Sequence, residues 1–175
     1  AMVDMEAVYD KLLGDSVEVE LMIGDEIDRR AEAADLSGEG LAILREEVPL
    51  ADMSMEIKIQ VAQTRISLEE FIQTDDLAEL LEIEEEYRGF NEAFDEEIKA
   101  ILYGGTVEGQ TIIATGNDTI RAAVEQMDRG HEELQRSAER LMTAHRVAIE
   151  QAALSAEAMN ELDGFGDDAA TMLSD

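Results

Sequence analysis

The sequence predicts an all-α protein, an antiparallel up-down four-helix bundle with long helices, built either as one unit or as two stacked helical modules. The first observation behind this prediction is composition. The 175 residues are 45% hydrophobic but only 4% aromatic, with no tryptophan and one proline, which favours helices packed through aliphatic side chains over short strands. The second observation is a mostly apolar seam from Ile120 to Leu162, in which spacings of four and three residues alternate without a break. Such spacing keeps one continuous face on a supercoiled helix.

Two long helices are predicted in the first part of the chain. Residues 3–34 place apolar side chains on one face among many acids, and the turn "DLSGEG" (35–40) ends this helix. Ser37 in that turn is a suitable N-cap for the next helix. The second helix is predicted over 39–73, with a kink at Pro49, because proline lacks the backbone N–H donor and disfavours helical geometry in the residue before it.

A break at "QTDDLAEL" (73–80) separates the second helix from the third. Thr74 or Asp75 is predicted to cap the third helix, since a side-chain oxygen there accepts bonds from the first free backbone N–H groups. The third helix is predicted to end near Tyr103.

The segment "GGTVEGQTIIATGND" (104–118) contains four glycines and is predicted to be the longest loop. Asn117 or Asp118 then caps the fourth helix. No strong stop signal follows before Gly164, so this helix is expected to run from about 117 to 162 and to be the longest element.

The charge of the chain limits its partners. There are 43 acidic against 13 basic residues, for a net charge of −30, and nucleic acid is excluded because phosphate backbones are bound by clustered Lys and Arg. Only three of the basic residues are lysines. This composition is typical of proteins solvated in strong salt, or else of an acidic extracytoplasmic surface. No apolar run is long enough to span a membrane, and the lack of cysteine excludes thiolate chemistry.

Both histidines, His131 and His145, lie in the seam of the fourth helix. Their separation of fourteen residues corresponds to about 21 Å along the axis, so they cannot share one metal ion. The Glu-x-x-His motif of helical di-iron proteins is missing, and we expect neither a metal site nor a cofactor. Two interpretations stay open for each histidine, a hydrogen bond across the seam or contact with a ligand between helices. No nucleophile or phosphate-binding loop lies nearby, so no enzyme activity is expected.

Polar residues interrupt the apolar faces of the second and third helices. Unpaired buried polar groups cost about 1–3 kcal/mol each, so these residues are expected either at the solvent border or gathered in a polar pocket at mid-bundle. In the pocket, Arg88 would hold an organic acid through paired hydrogen bonds, whereas an amine would use Glu84. The predicted ligand-binding residues are Gln60, Thr64, Ser67, Arg88, Asn91 and His131.

Three segments resemble an extracytoplasmic sensory domain found in methyl-accepting chemotaxis proteins and some sensor kinases. The first helix of that domain is similar to "VPLADMSMEIKIQVAQTRISLEEFI" (48–72). Its second helix and Gly-Gly loop are similar to "FNEAFDEEIKAILYGGTVEG" (90–109), and the helix after the loop to "IRAAVEQMDRGHEELQRSAERL" (120–141). The resemblance covers residues 48–141, a little over half of the chain. It departs from the family at "RISL" (65–68), where many members place a histidine and an aromatic residue.

The resemblance implies a single helical sensory domain over residues 1–175, with 48–141 as the family-like core and 1–47 and 142–175 as membrane-proximal helices. It implies the ligand-sensing, extracytoplasmic part of a chemoreceptor-type transmembrane signalling protein, a homodimer held by flanking membrane spans outside this chain. A small-molecule ligand, an organic acid or an amine, would displace helices by about 1–2 Å. This displacement would be transmitted to a cytoplasmic output. The alternative is an acidic helical scaffold or adaptor that binds a protein partner.

Overall fold

The computed structural model describes residues 2–33 and 39–174. The elements in chain order are α1 (Met2–Ala33), α2 (Glu39–Gln73), α3 (Leu77–Tyr103), β1 (Gly105–Val107), β2 (Gln110–Ile112) and α4 (Asp118–Ser174). Each helix packs beside the next one in the chain, and α1 also packs against α4, which closes the bundle. The predicted all-α bundle is confirmed. The predicted Ser37 cap lies outside the described residues.

Polar contacts between helices show that neighbours run antiparallel. Near the α1–α2 connection Arg30 pairs with Glu47 at 2.5 Å, and further from it Glu20 pairs with Lys58. Pro49 lies inside α2 without ending it; the predicted kink there stays a prediction. None of the helices within the two described ranges holds an apolar stretch that could cross a membrane.

The N-terminus of α3 is capped by Asp76. Its Oδ1 accepts hydrogen bonds from the backbone N–H of Ala78 at 2.8 Å and of Glu79 at 3.4 Å. The prediction of Thr74 or Asp75 as the cap is therefore wrong by one or two residues. Thr74 has another role, because its hydroxyl donates to the carboxylate of Glu79 at 2.7 Å.

Part of the predicted loop 104–118 is a β-hairpin. Strands β1 and β2 pair antiparallel through a two-residue turn, in which Glu108 and Gly109 have φ of 50° and 83°. Positive φ at both positions is the geometry of a type I′ turn, whose twist matches that of the strands. The loop prediction missed this hairpin because strands of three residues carry too little alternation to be recognised. Asn117 caps α4 as predicted, accepting from the backbone N–H of Thr119 at 2.9 Å.

Helix α4 extends well beyond the other three helices. It has 57 residues, about 86 Å at 1.5 Å per residue, and it passes Gly164 to reach Ser174. The predicted end near residue 162 is wrong, since a helix-interior glycine costs only about 1 kcal/mol and does not by itself end a helix. All residues from Glu150 to Gly166 are exposed, so the helix leaves the bundle at about residue 150.

The core consists of two apolar clusters stacked along the bundle. The larger includes Leu12, Val19, Ile57, Val61, Phe94, Ile101, Met127 and Leu134. The smaller contains Leu68, Phe71, Leu80, Ile83, Tyr87, Ala138 and Met142. Between them lie buried polar side chains, which position the site described below.

Gly130 gives a test of the α1–α4 packing. A Cβ added at this buried glycine would lie 3.7 Å from Leu12 Cδ1 and 3.9 Å from Asp15 Oδ2, which are ordinary contact distances. Gly130→Ala should therefore raise the free energy of unfolding by about 1 kcal/mol, the difference in helix propensity, as measured by urea denaturation.

Gly14→Ala is the matched control, because its added Cβ meets nothing within 4 Å and should give a similar gain from propensity alone. Gly130→Leu should destabilise the bundle by overpacking. A loss of stability with Gly130→Ala would mean that α1 and α4 pack more closely than described.

Candidate ligand-binding site

A polar layer lies near the level at which the two apolar clusters meet. It consists of Thr64 and Ser67 from α2, Asn91 from α3 and His131 from α4, all at most 5% exposed. On α3 this layer falls between Phe94 of the larger cluster and Tyr87 of the smaller one. Buried polar groups need partners to avoid a desolvation cost, so the bonds that they make define the site.

Asn91 joins α3 to α4 at the polar layer. Its Nδ2 donates to the backbone carbonyl of Tyr87 at 2.5 Å, and its Oδ1 lies 2.9 Å from Nε2 of His131. The reverse amide orientation would set an oxygen against a carbonyl oxygen. Nε2 of His131 must therefore carry the hydrogen and donate it to Asn91. The imidazole also stacks on Phe94, with ring centroids 3.7 Å apart and an interplanar angle of 23°.

The second nitrogen of His131 faces the surface without a donor. Burial lowers the pKa of His131 to about 4, so the ring is neutral near pH 7 and Nδ1 carries a lone pair. Nδ1 is buried and has no hydrogen-bond partner; Asp95 Oδ1 lies 3.5 Å away. Burial also raises the pKa of Asp95, with Lys99 opposing the rise and Glu132 adding to it. Two acceptors therefore face each other across a gap that a donor would bridge.

A groove of about 420 Å³ lies between α3 and α4 over this layer. We call it the α3–α4 groove. Its charged walls are Glu84, Arg88, Glu92 and Asp95 from α3 with Glu139 and Arg146 from α4. The buried side chains of Tyr87 and Met142 also line it.

The two ends of the groove differ in charge. At one end Glu84 is held by both arginines, with Arg146 donating to it and Arg88 Nη2 at 3.5 Å. Along the rest of the groove Glu92, Asp95 and Glu139 form no ion pair with Lys or Arg among the described side chains. The groove thus has two arginines and one acid at one end, and three acids along the remainder.

Tyr87 adds a further unpaired polar atom to the groove. Its hydroxyl is buried without a hydrogen-bond partner. Burial raises the pKa of this phenol, while the nearby Asn91 amide opposes the rise, so the group is protonated and can donate or accept.

The structure brings three of the six predicted site residues together. Arg88 and Asn91 line the groove, and His131 lies beneath it through its bond to Asn91. Thr64 and Ser67 are buried in the polar layer on α2, and Gln60 is half-buried; these three do not line the groove.

Sequence reasoning missed Tyr87, Asp95, Glu139 and Arg146 as groove residues. Tyr87 and Asn91 are four residues apart, which places them on one helix face, and this spacing was the available signal. Glu139 and Arg146 lie next to seam positions of α4. The sequence alone does not show that this side of the seam faces α3.

The remaining histidine has a structural contact. Nε2 of His145 lies 3.0 Å from the carbonyl oxygen of Thr74 in the α2–α3 turn, and its ring contacts Phe71 with centroids 5.8 Å apart. His145 thus links α4 to the α2–α3 turn at the end of the bundle. No three His, Asp or Glu side chains within the described part of the chain converge in a way that could hold a metal ion.

Three comparisons with known proteins were made for this chain. No protein-family model, curated protein or solved structure matches it. The resemblance of residues 48–141 to a sensory domain stays a prediction, and function is inferred from the geometry of the site.

A buried carboxyl group lies on the far side of α3 from the groove. Glu97 is 5% exposed, and burial raises its pKa to about 8, with Glu56 and Glu108 adding to the rise and Gln60 opposing it. Glu97 Oε2 and Gln60 Oε1 are both buried without a partner. A proton on Glu97 therefore stabilises the fold.

Glu97→Gln should remove a pH dependence of stability. The pKa of this carboxyl is near 4.5 in the unfolded chain and about 8 in the folded protein. Between these pH values folding takes up a proton, so the free energy of unfolding falls as the pH rises. The variant should gain stability relative to the wild type over this range, most of all above pH 8, in thermal melts at several pH values.

Glu82→Gln, which removes an exposed charge elsewhere on α3, is the control and should show no such trend. A Glu97→Gln variant whose difference from the wild type is constant from pH 4.5 to 8 would mean that Glu97 is ionised in the folded protein.

Proposed function

We propose that this chain is the ligand-sensing, extracytoplasmic domain of a chemoreceptor-type transmembrane signalling protein, with a small molecule bound in the α3–α4 groove. One observation carries the proposal. The groove lies over unpaired buried polar atoms, and one of its two walls is α4, which continues far outside the bundle.

The unpaired atoms favour a binding role for the groove. Buried polar groups in folded proteins nearly always have partners, so those without one call for an explanation. His131 Nδ1, Tyr87 Oη and Arg146 Nε are all buried without a partner, and all three residues lie in or directly beneath the same groove. A ligand with a few polar groups and an apolar body would satisfy them, as in other small-molecule sites.

The length of α4 provides a route for the signal. From Arg146 in the groove to Ser174 the helix continues for 28 residues, about 42 Å. A ligand that contacts both α3 and α4 would change their relative position by about 1–2 Å, the usual scale for helix shifts. The continuous helix would carry this shift away from the site. The membrane spans, the homodimer and the cytoplasmic output belong to this proposal on the strength of the resemblance.

A second candidate function is an acidic helical scaffold or adaptor. The exposed part of α4 favours it, because Leu154, Met159, Leu162 and Phe165 are each 61–68% exposed there. Exposed apolar side chains on a helix are suited to packing against a partner helix.

A thermal-shift screen of organic acids, amino acids, amines and divalent cations tests the sensing proposal. Binding should raise the free energy of unfolding by about 2.7 kcal/mol at a ligand concentration of one hundred times Kd. For a protein of this size this corresponds to roughly 5–10 °C in Tm. The ligand-induced rise in Tm should be largely lost in Glu92→Ala if the ligand is a cation, and in Arg88→Ala if it is an organic acid.

Arg136→Ala is the matched control, since Arg136 is an exposed α4 arginine outside the groove. A shift that both groove variants retain in full would place the ligand elsewhere. If no compound shifts Tm, and a helical protein partner is bound only while Leu154 and Leu162 are intact, the scaffold function replaces the sensing function.

A further inference from the structure

We infer that the ligand of the α3–α4 groove is a linear aliphatic polyamine, one ammonium group of which is held between His131 Nδ1 and Asp95. This inference rests on the proposed function, because it names the chemical class bound at the same site. It replaces the organic acid that Arg88 was expected to hold.

The free polar atoms of the groove are mainly acceptors. Glu92, Asp95 and Glu139 have no basic partner among the described side chains, and His131 Nδ1 offers a lone pair. Ionised carboxylates and an unprotonated imidazole nitrogen can only accept hydrogen bonds. The complementary ligand is one that carries several donors and positive charge.

Both arginines of the groove are paired with the same carboxylate. Arg88 and Arg146 share Glu84, and Arg88 is 63% exposed. A carboxylate ligand would therefore share the two arginines with Glu84 at one end and meet three further carboxylates along the rest of the groove. The charged walls carry four carboxylates and two guanidiniums, so the groove as a whole is negative.

The gap between His131 and Asp95 fits an ammonium group. The two acceptor atoms are 3.5 Å apart, so one ammonium nitrogen can lie about 2.9 Å from both and donate a different N–H to each. Asp95 lines the groove and its side chain is 41% exposed, so this acceptor can be reached from the groove.

The charges around this gap favour a cation. From α3 it is faced by Asp95, Glu92 and Lys99, because Lys99 and Glu92 both act on the pKa of Asp95. From α4, Glu132 acts on Asp95. Burial raises the pKa of Asp128, and Glu132 and Asp95 are close enough to add to the rise, which Lys99 and Arg129 oppose. Four carboxylates against two cations leave a negative site around a neutral buried imidazole.

The far part of the groove suits a second ammonium group. Glu139 is eight residues beyond His131 on α4, about 12 Å along the axis. The side chains of Tyr87 and Met142 lie in the floor of the groove and provide apolar surface for methylene groups. Acids at two positions with an apolar floor between them match a chain of methylenes with amines at both ends.

Isothermal titration calorimetry with spermidine, 1,4-diaminobutane and butylamine tests the inference on the full chain. The expected order of affinity is spermidine, then 1,4-diaminobutane, then butylamine. Asp95→Asn should weaken spermidine binding about tenfold or more, because it removes a charged acceptor of the ammonium group. Spermidine should also shift the Nδ1 signal of His131 in the nitrogen NMR spectrum.

Glu96→Gln is the matched control, because it removes the same charge from the exposed side of α3 outside the groove. If Asp95→Asn and Glu96→Gln lose the same affinity for spermidine, amine binding is a general attraction to the acidic surface. That result would overturn the inference. An organic acid that binds through Arg88, or a transition-metal ion that binds His131 while amines do not, would overturn it and leave the proposed function standing. If no small molecule of any class binds, both fail.

Discussion

The hydrogen bond between Asn91 and His131 is the interaction on which the site depends. It joins α3 to α4 at the level where the apolar core is interrupted, and both side chains are buried. A slide of one helical turn would leave both side chains buried without partners, at about 1–3 kcal/mol for each lost partner. The bond therefore selects one register of α3 against α4. In that register Arg146 meets Glu84, and the unpaired acids lie together along the groove.

The same bond also determines what His131 offers to a ligand. A histidine in an apolar seam would be destabilising if it were charged, and burial keeps this one neutral. Because Asn91 accepts the hydrogen of Nε2, the lone pair of Nδ1 is left directed toward Asp95. A polar group retained in a core can thus fix the alignment of two helices and supply a binding atom, a use of buried polar residues that is best known from helical seams.

The sequence was sufficient for the features that depend on one helix at a time. Periodicity predicted the four helices and placed His131 in the seam, and interruptions of the apolar faces made a polar pocket with Asn91 one of two alternatives. Features that depend on several weak local preferences were missed, such as the cap at Asp76 and the short hairpin. The groove could not be predicted, because whether Glu139 faces Tyr87 depends on helix register, and register is set by packing between elements distant in sequence.

His131 is neutral in the folded protein, with the hydrogen on Nε2 and a free lone pair on Nδ1. Nitrogen NMR of the imidazole measures this directly, with a His145→Gln variant to assign the two rings. We expect His131 to show a protonated Nε2 and an unprotonated Nδ1 at pH 7, and to start titrating only as the pH approaches about 4. A ring that titrates near 6.5, or one that carries its hydrogen on Nδ1, would contradict the account.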